Sequence, residues 1–109
     1  MANRRRGEVP LVLGHERYTL CLTLGALAEL EEAFQAADAV ALAGRLAEGR
    51  LRSRDLIILL GAALRGGGHA LDDRAVAALP LASGLDAIVR ALGEAVEAAF
   101  GTAEDAPRP

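Results

Sequence analysis

Near its start, the chain alternates apolar and polar residues at every second position. The apolar members are Val9, Leu11 and Leu13, followed by Tyr18, Leu20 and Leu22. This spacing puts each set on one face of a strand, and Gly14–Glu16 supplies a turn between them, so the pattern predicts a β-hairpin. Pro10 cannot donate a ladder hydrogen bond, which marks its strand as an edge. Because a lone hairpin is marginal in water, we expect its apolar face to lie on helices or on another protein.

After Leu22 the apolar spacing changes to the period of an α-helix. Capping residues and helix-stopping glycines or prolines divide this region into five predicted helices: Leu24–Ala36, Ala39–Glu48, a third from Ser53 to Arg65, a fourth from Asp72 or Asp73 to Leu79, and a last one from Ser83 to Phe100. The third is apolar on nearly all sides, which predicts that it is the central and most buried helix. The predicted fold class is therefore α+β, an N-terminal β-hairpin followed by a compact bundle of four to five short α-helices.

The same pattern predicts helix ends and inward faces. Thr23, Ser53 and either Asp72 or Asp73 are expected N-caps, and Gly66 is expected to end the third helix in the left-handed conformation. The inward face of the first helix is expected to hold Leu24, Leu27, Leu30 or Glu31, and Phe34. The inward face of the last helix is expected to hold Leu85, Ile88, Val89, Leu92, Val96 and Phe100.

Length and composition indicate one domain with an aliphatic core. The 109 residues include 24 Ala and 19 Leu but only 3 aromatic residues, so helices can approach closely while each contact buries little area. We expect a disordered basic arm at residues 1–6, a single globular domain at residues 7–101 and a disordered tail at residues 102–109.

Charge and hydropathy narrow the classes of partner. The net charge of −3 argues against a general nucleic-acid binder. The longest apolar run, Leu56–Leu64, is less than half of the roughly 20 residues that a membrane helix requires, and the basic start of the chain lacks the apolar segment of a signal peptide. The single Cys21 excludes an intrachain disulfide and suits a reducing compartment. We therefore expect a cytoplasmic protein without nucleic-acid or membrane partners.

The segment around Gly66–Gly68 holds the residues most suggestive of chemistry. A phosphate loop places its glycines between a strand and a helix and adds a lysine, whereas these glycines follow a helix in a chain that has no lysine. His69, Asp72 and Asp73 are too few for a zinc or calcium site, and helix capping accounts for the aspartates. A helix-to-helix turn is the favoured interpretation, and we expect no metal and no cofactor.

Nucleophiles and paired carboxylates form no catalytic pattern either. Ser53 and Ser83 occupy capping positions, and Cys21 has no histidine predicted beside it. A solvated acidic helix face accounts for Glu29, Glu31 and Glu32. We therefore expect no enzymatic activity.

Four arginines cluster around the connection between the second and third predicted helices: Arg45, Arg50, Arg52 and Arg54. Arg54 in a first helical turn opposes the helix dipole, so helix stability does not explain its position. Two interpretations stay open, a functional basic patch and an ordinary solvated surface.

Three stretches of the chain carry a family resemblance: GEVPLVL (Gly7–Leu13), RYTLCLTLGALAELE (Arg17–Glu31) and RLRSRDLIILLGAALRGGGH (Arg50–His69). Together they resemble the small tail proteins of gene transfer agents, which are domesticated phage-like particles of alphaproteobacteria. The chain looks like the member encoded between the major tail protein and the tape measure protein. That member is placed in the phage tail assembly chaperone group, and related sequences are sometimes labelled tail tube proteins. The resemblance covers about residues 7–100 and includes no catalytic motif.

The resemblance implies a non-enzymatic tail assembly chaperone that binds and solubilises the tape measure protein while the tail forms. The mechanism it implies is masking of the apolar stripes of that protein by Leu and Ala surfaces. The alternative is a structural, tube-associated component of the particle. Other tail proteins and a second copy of this chain are further candidate partners. The residues that we expect to contact a partner are Leu24, Leu27, Phe34, Arg50, Arg52, Arg54, Ile57 and Leu60.

Overall fold

The chain folds as an antiparallel β-hairpin whose apolar face is covered by helices. The computed structural model describes residues 7–34, 48, 52–80 and 84–100. In chain order the elements are β1 (Glu8–Leu13), β2 (Glu16–Cys21), α1 (Leu24–Phe34), α2 (Ser53–Gly66), α3 (Asp73–Ala77) and α4 (Leu85–Phe100). The predicted fold class is confirmed. The arm at 1–6, the tail at 102–109 and the predicted helix at 39–48, apart from Glu48 itself, lie outside the described residues.

The hairpin follows the alternation in the sequence. Its register runs from Glu8 opposite Cys21 to Leu13 opposite Glu16, so the loop has two residues, one fewer than predicted. Gly14 opens this loop with a φ of 63°, which the tight hairpin turns require. The inward residues are almost wholly buried: Val9, Leu11, Leu13 and Leu20.

Helix α2 is the centre of the fold, as its apolar sequence predicts. It packs against α1, β2, α3 and α4, and every residue from Leu59 to Leu64 is buried. Helix α4 packs along β1 and covers the part of the hairpin face that this strand forms. In the parts of the chain that the structure describes, no helix has both the length and the apolarity to cross a membrane.

The inward position predicted for two residues is wrong, and each of them is the first residue of a helix. Leu24 is 85% exposed and Leu85 is 49% exposed. Alanines take the inward positions instead, at Ala26 in α1 and at Ala91 and Ala95 in α4. In α1 the buried Ala26 and Leu30 lie on the side of the helix opposite Leu24. In α4, Leu85 is on the same side as the buried Ile88 and Leu92, and it is exposed at the first position of the helix. The remaining members of the two predicted stripes pack in or against the core: Leu27, Leu30, Phe34, Ile88, Val89, Leu92 and Val96; the side chain of Phe100 lies outside the described part.

Two of the predicted N-caps are confirmed and one is wrong. The Ala26 N–H donates to Thr23 Oγ1 at 3.1 Å, and the Ala75 N–H donates to Asp72 Oδ1 at 2.8 Å. Ser53 is already helical, and the cap position belongs to Arg52, whose N–H donates to Asp55 Oδ2 at 3.2 Å. The carboxylate of the first turn thus replaces the hydroxyl as the capping group. Helix α3 ends at Ala77, two residues before the predicted end, and the expected cap Ser83 lies outside the described residues.

Candidate functional site

The glycine run after α2 is used for backbone packing. A side chain at Gly66 would overlap the carbonyl oxygen of Cys21, and one at Gly67 would overlap that of Thr19. Bare backbone therefore lets the end of α2 lie directly against the outer edge of β2. The left-handed conformation expected at Gly66 is wrong, since Gly66 is the last helical residue and Gly68 takes that conformation, with φ 97°. Close contact with β2, rather than helix termination, therefore explains why glycine occupies positions 66 and 67.

His69 completes this closed strand edge. Its Nε2 accepts a hydrogen bond from the Thr19 N–H at 2.9 Å, and its ring meets the ring of Tyr18 edge-on at 5.3 Å between centroids. Within the described residues, no group of three or more His, Cys, Asp or Glu side chains could hold a metal ion.

Arg65 joins three helices at the same end of α2. Its guanidinium bonds Glu29 Oε1 of α1 at 2.6 Å, Asp73 Oδ1 of α3 at 3.2 Å and the carbonyl oxygen of Leu71 at 2.8 Å. Hydrogen bonding to Glu29 raises the pKa of Arg65 above its ordinary value, although partial burial opposes the shift. Sequence spacing gave no sign of this cluster, because Glu29 and Arg65 are 36 positions apart.

The other end of α2 borders an apolar groove with a volume of about 240 Å³. Its walls come from three helices: Ser53, Leu56, Ile57 and Leu60 of α2, Val76, Ala77 and the following Leu79 from α3, and Leu85 and Ile88 of α4. Leu60, Val76 and Ile88 are buried at its floor, while Leu85 is half-exposed at its rim. Small-molecule sites usually exceed roughly 300 Å³ and carry converging polar groups, whereas the walls of this groove are mainly apolar.

The expected partner-contact residues fall into separate places. Ile57 and Leu60 line the groove, and Arg52 at the N-cap and Arg54 in the first turn of the same helix are exposed. Leu24 is exposed at the opposite end of α2. The two remaining apolar candidates, Leu27 and Phe34, pack partly against the core. The candidate Arg50 lies outside the described residues, as does Arg45 of the arginine cluster.

Sequence reasoning missed the α3 and α4 walls of the groove. A usable signal exists, because apolar residues flank Pro80 on both sides, with Val76 and Leu79 before it and Leu85 after it. A proline cannot continue a helix, so this pattern indicates two separate apolar segments.

A second cleft lies along the open edge of the hairpin. It has a volume of about 340 Å³ and runs between β1 and α4. Val12 is 47% exposed beside it, and its lining includes charged Arg90 and Glu94. Pro10 stands in the middle of this strand edge and can donate no hydrogen bond to an added strand.

Comparison with known proteins places nearly the whole chain in one family. The model of the family described as "Phage tail tube protein, GTA-gp10" matches residues 6–102. No curated protein and no solved structure matches the chain.

Proposed function

The chain belongs to the phage tail tube protein family GTA-gp10, and from that premise we propose that it is a structural, tube-associated component of a phage-like tail. The observation that carries the proposal is the family match over residues 6–102, which spans every element of the fold. A structural subunit acts through non-covalent contact and needs no nucleotide, metal or nucleophile.

The surface of the described residues supports a role in contact. Three large apolar side chains are exposed, Leu24 at 85%, Leu85 at 49% and Val12 at 47%, and two clefts with apolar walls lie beside the latter two. Exposed apolar surface next to a concave apolar site is typical of protein–protein interfaces. Since the described sheet has only two strands, helix faces would supply most of the contacts between subunits.

Purified particles test this proposal. Quantitative mass spectrometry should find the protein at a fixed copy number relative to the other tail proteins, as expected of a symmetric ring or tube. A protein that is abundant in the producing cells but missing from intact particles would contradict a structural role.

The groove also supports the finer alternative of a tail assembly chaperone acting in the cytoplasm on the tape measure protein. A helix with apolar residues along one side can lay them into an apolar groove. Co-expression provides the test: a chaperone keeps an otherwise insoluble tape measure fragment in solution, and Ala77→Arg, which fills the groove, removes the effect. Rescue of the fragment together with absence from particles would select the chaperone over the structural component.

A further inference from the structure

We infer that the chain associates with itself head-to-tail, the exposed face of α1 in one copy entering the groove of the next copy. The inference rests on the proposed function in one respect, since it names the partner of the groove as a second tail subunit. Its evidence is the chemistry and placement of two surfaces on the same molecule.

The groove combines an apolar centre with positive charge on two sides. Arg54 lies one helical turn before Ile57 in α2, and Arg74 lies one turn before Ala77 in α3, so each arginine borders a groove-lining residue. Both arginines are exposed and make no ion pair with another described residue. Asp55 and Asp73 lie on the same two helices, but Asp55 accepts the Arg52 N–H and Asp73 is bound to Arg65. Asp86 follows Leu85 at the start of α4.

The exposed face of α1 has the complementary composition. Leu24 is the most exposed large apolar residue among those described, at 85%. Helical spacing puts Ala28, Glu31 and Glu32 on the same side of α1, opposite the buried Ala26 and Leu30. Neither Glu31 nor Glu32 has an ion-pair partner in the described part of the chain, whereas Glu29 is bound to Arg65.

The two surfaces lie at opposite ends of α2. The start of α1 is beside the C-terminus of that helix, where Thr23 Cγ2 would stand 3.5 Å from a Cβ at Gly66. The groove begins at Ser53 and reaches Leu60, about 9 to 20 Å away along the helix axis. A copy therefore cannot insert its own Leu24 into its own groove.

Complementary surfaces at different places on one subunit make a heterologous contact. Such contacts repeat from copy to copy and produce a ring when the rotation closes or a filament when it does not. The open edge of β1 is a weaker candidate, because Pro10 interrupts the hydrogen bonding that an added strand requires.

Three single variants test the contact in the full chain. Leu24→Ser removes the anchor of α1 and leaves the groove intact, whereas Ala77→Arg blocks the groove and leaves α1 intact. Val12→Ser is the matched control, since Val12 is an exposed apolar residue on neither surface. Sedimentation velocity and light scattering over a concentration series should show self-association of the wild type and the control, and an association at least about tenfold weaker for the other two.

Mixing the two defective variants distinguishes head-to-tail contact from symmetric pairing. The mixture should form one-to-one heterodimers and nothing larger, because only one functional groove and one functional α1 face remain available to each other. A charge-reversal pair adds a second test: Arg54→Glu and Glu32→Arg should each weaken association, and both together in one chain should restore it.

Several results would overturn the inference. These are a wild type that stays monomeric at its highest soluble concentration, variants that assemble as the wild type does, and loss of assembly only in Val12→Ser. If the wild type and all variants are monomeric and Ala77→Arg lowers the melting temperature, another part of the same chain fills the groove.

Particle incorporation separates this inference from the proposed function. If Leu24→Ser and Ala77→Arg enter particles at the normal copy number, the head-to-tail contact is wrong and the structural role stands. If the isolated chain assembles head-to-tail but is missing from particles, the contact stands and the structural role fails.

Discussion

At the scale of single residues, the effect of a glycine depends on what a Cβ atom at its position would contact. Gly66 and Gly93 are both helical, yet a Cβ at Gly66 would overlap the Cys21 carbonyl oxygen while a Cβ at Gly93 meets nothing within 4 Å. Helix propensity favours alanine equally at the two positions. The surroundings alone therefore decide which substitution is tolerated.

The same substitution should change stability in opposite directions at these two glycines. We expect Gly66→Ala to lower the free energy of unfolding by about 1–3 kcal/mol, because α2 and β2 must separate to admit the methyl group. Gly93→Ala should raise it by about 0.4–1 kcal/mol. Chemical denaturation of both variants measures the two values, and a stabilising Gly66→Ala would contradict the close contact.

At the outer edge of β2, the side chain of His69 supplies the hydrogen-bond acceptor that a neighbouring strand would otherwise supply. Thr19 lies on the β2 edge that faces away from β1, and its N–H finds an acceptor only through the His69 ring. A partly buried donor left without a partner is destabilising, so this position needs an acceptor more than it needs an imidazole.

Replacement of His69 separates the acceptor from the ring. His69→Phe keeps the aromatic contact with Tyr18 but should lower the free energy of unfolding by about 1–3 kcal/mol. It should also speed hydrogen exchange at the Thr19 amide. His69→Gln retains an acceptor and should lose less stability, so equal exchange rates in the two variants would show that the hydrogen bond is unimportant.

At the scale of elements, Arg65 joins helices that are distant in sequence. One guanidinium serves α1 through Glu29 and α3 through Asp73, and it also satisfies a carbonyl oxygen in the loop before α3. Lysine has the same charge but lacks the planar fork that reaches several acceptors at once.

Arg65→Lys should therefore lower the free energy of unfolding by about 1–2 kcal/mol, despite the unchanged charge. Arg90→Lys, at an exposed position of α4, should stay within about 0.5 kcal/mol of the wild type. Thermal unfolding at low and high salt measures both changes. The loss at Arg65 should shrink with salt, because its carboxylate partners are half-exposed at 46% and 49%.

The start of α2 depends on a carboxylate that the structure shows at the cap. Asp55 accepts the Arg52 N–H and stands in the first turn, where negative charge suits the helix dipole. Ser53 has an exposed side chain and is part of the helix itself.

Alanine at these two positions should therefore have unequal effects. Asp55→Ala should lower the free energy of unfolding by about 0.5–2 kcal/mol, a typical loss for a cap. Ser53→Ala should change it by less than about 0.5 kcal/mol. If urea titrations showed a larger loss of stability for Ser53→Ala than for Asp55→Ala, Ser53 would be the capping residue.

At the scale of the whole molecule, α2 connects most of the core, while β1 is covered by α4. It packs on β2, α1, α3 and α4, and Leu59 and Leu64 are fully buried along it. The end of α2 near Gly66 is closed by backbone packing and ion pairs, whereas the end near Ser53 opens into the groove. The end near Gly66 is thus closed, apart from the exposed Leu24 of α1 beside it, and the end near Ser53 is open.

Two leucine substitutions compare a buried and an exposed side chain near the closed end of α2. Leu64→Ala should lower the free energy of unfolding by about 2–5 kcal/mol, which is a large share of the stability of a small domain. Leu24→Ala should change it by less than about 0.5 kcal/mol, because that side chain is exposed. Circular dichroism of the monomer should show the difference, and a strongly destabilised Leu24→Ala would mean that Leu24 is covered within its own chain.

The groove could be predicted only in part. Ile57 and Leu60 were expected at a contact surface, because α2 has more apolar residues than one buried face requires. Its other walls, at Val76 and Leu85, lie on α3 and α4, and packing across distant parts of the chain brings both helices beside α2.

The local patterns in the sequence determined the hairpin, the central position of α2 and the caps at Thr23 and Asp72, since period, turn residues and capping act over a few neighbouring positions. Only the tertiary structure decided that Gly66 lies against Cys21 and that Arg65 binds Glu29. The same holds for the exposure of Leu24 and Leu85. These features join residues far apart in the chain or depend on how closely two helices approach, and no short-range pattern encodes that distance.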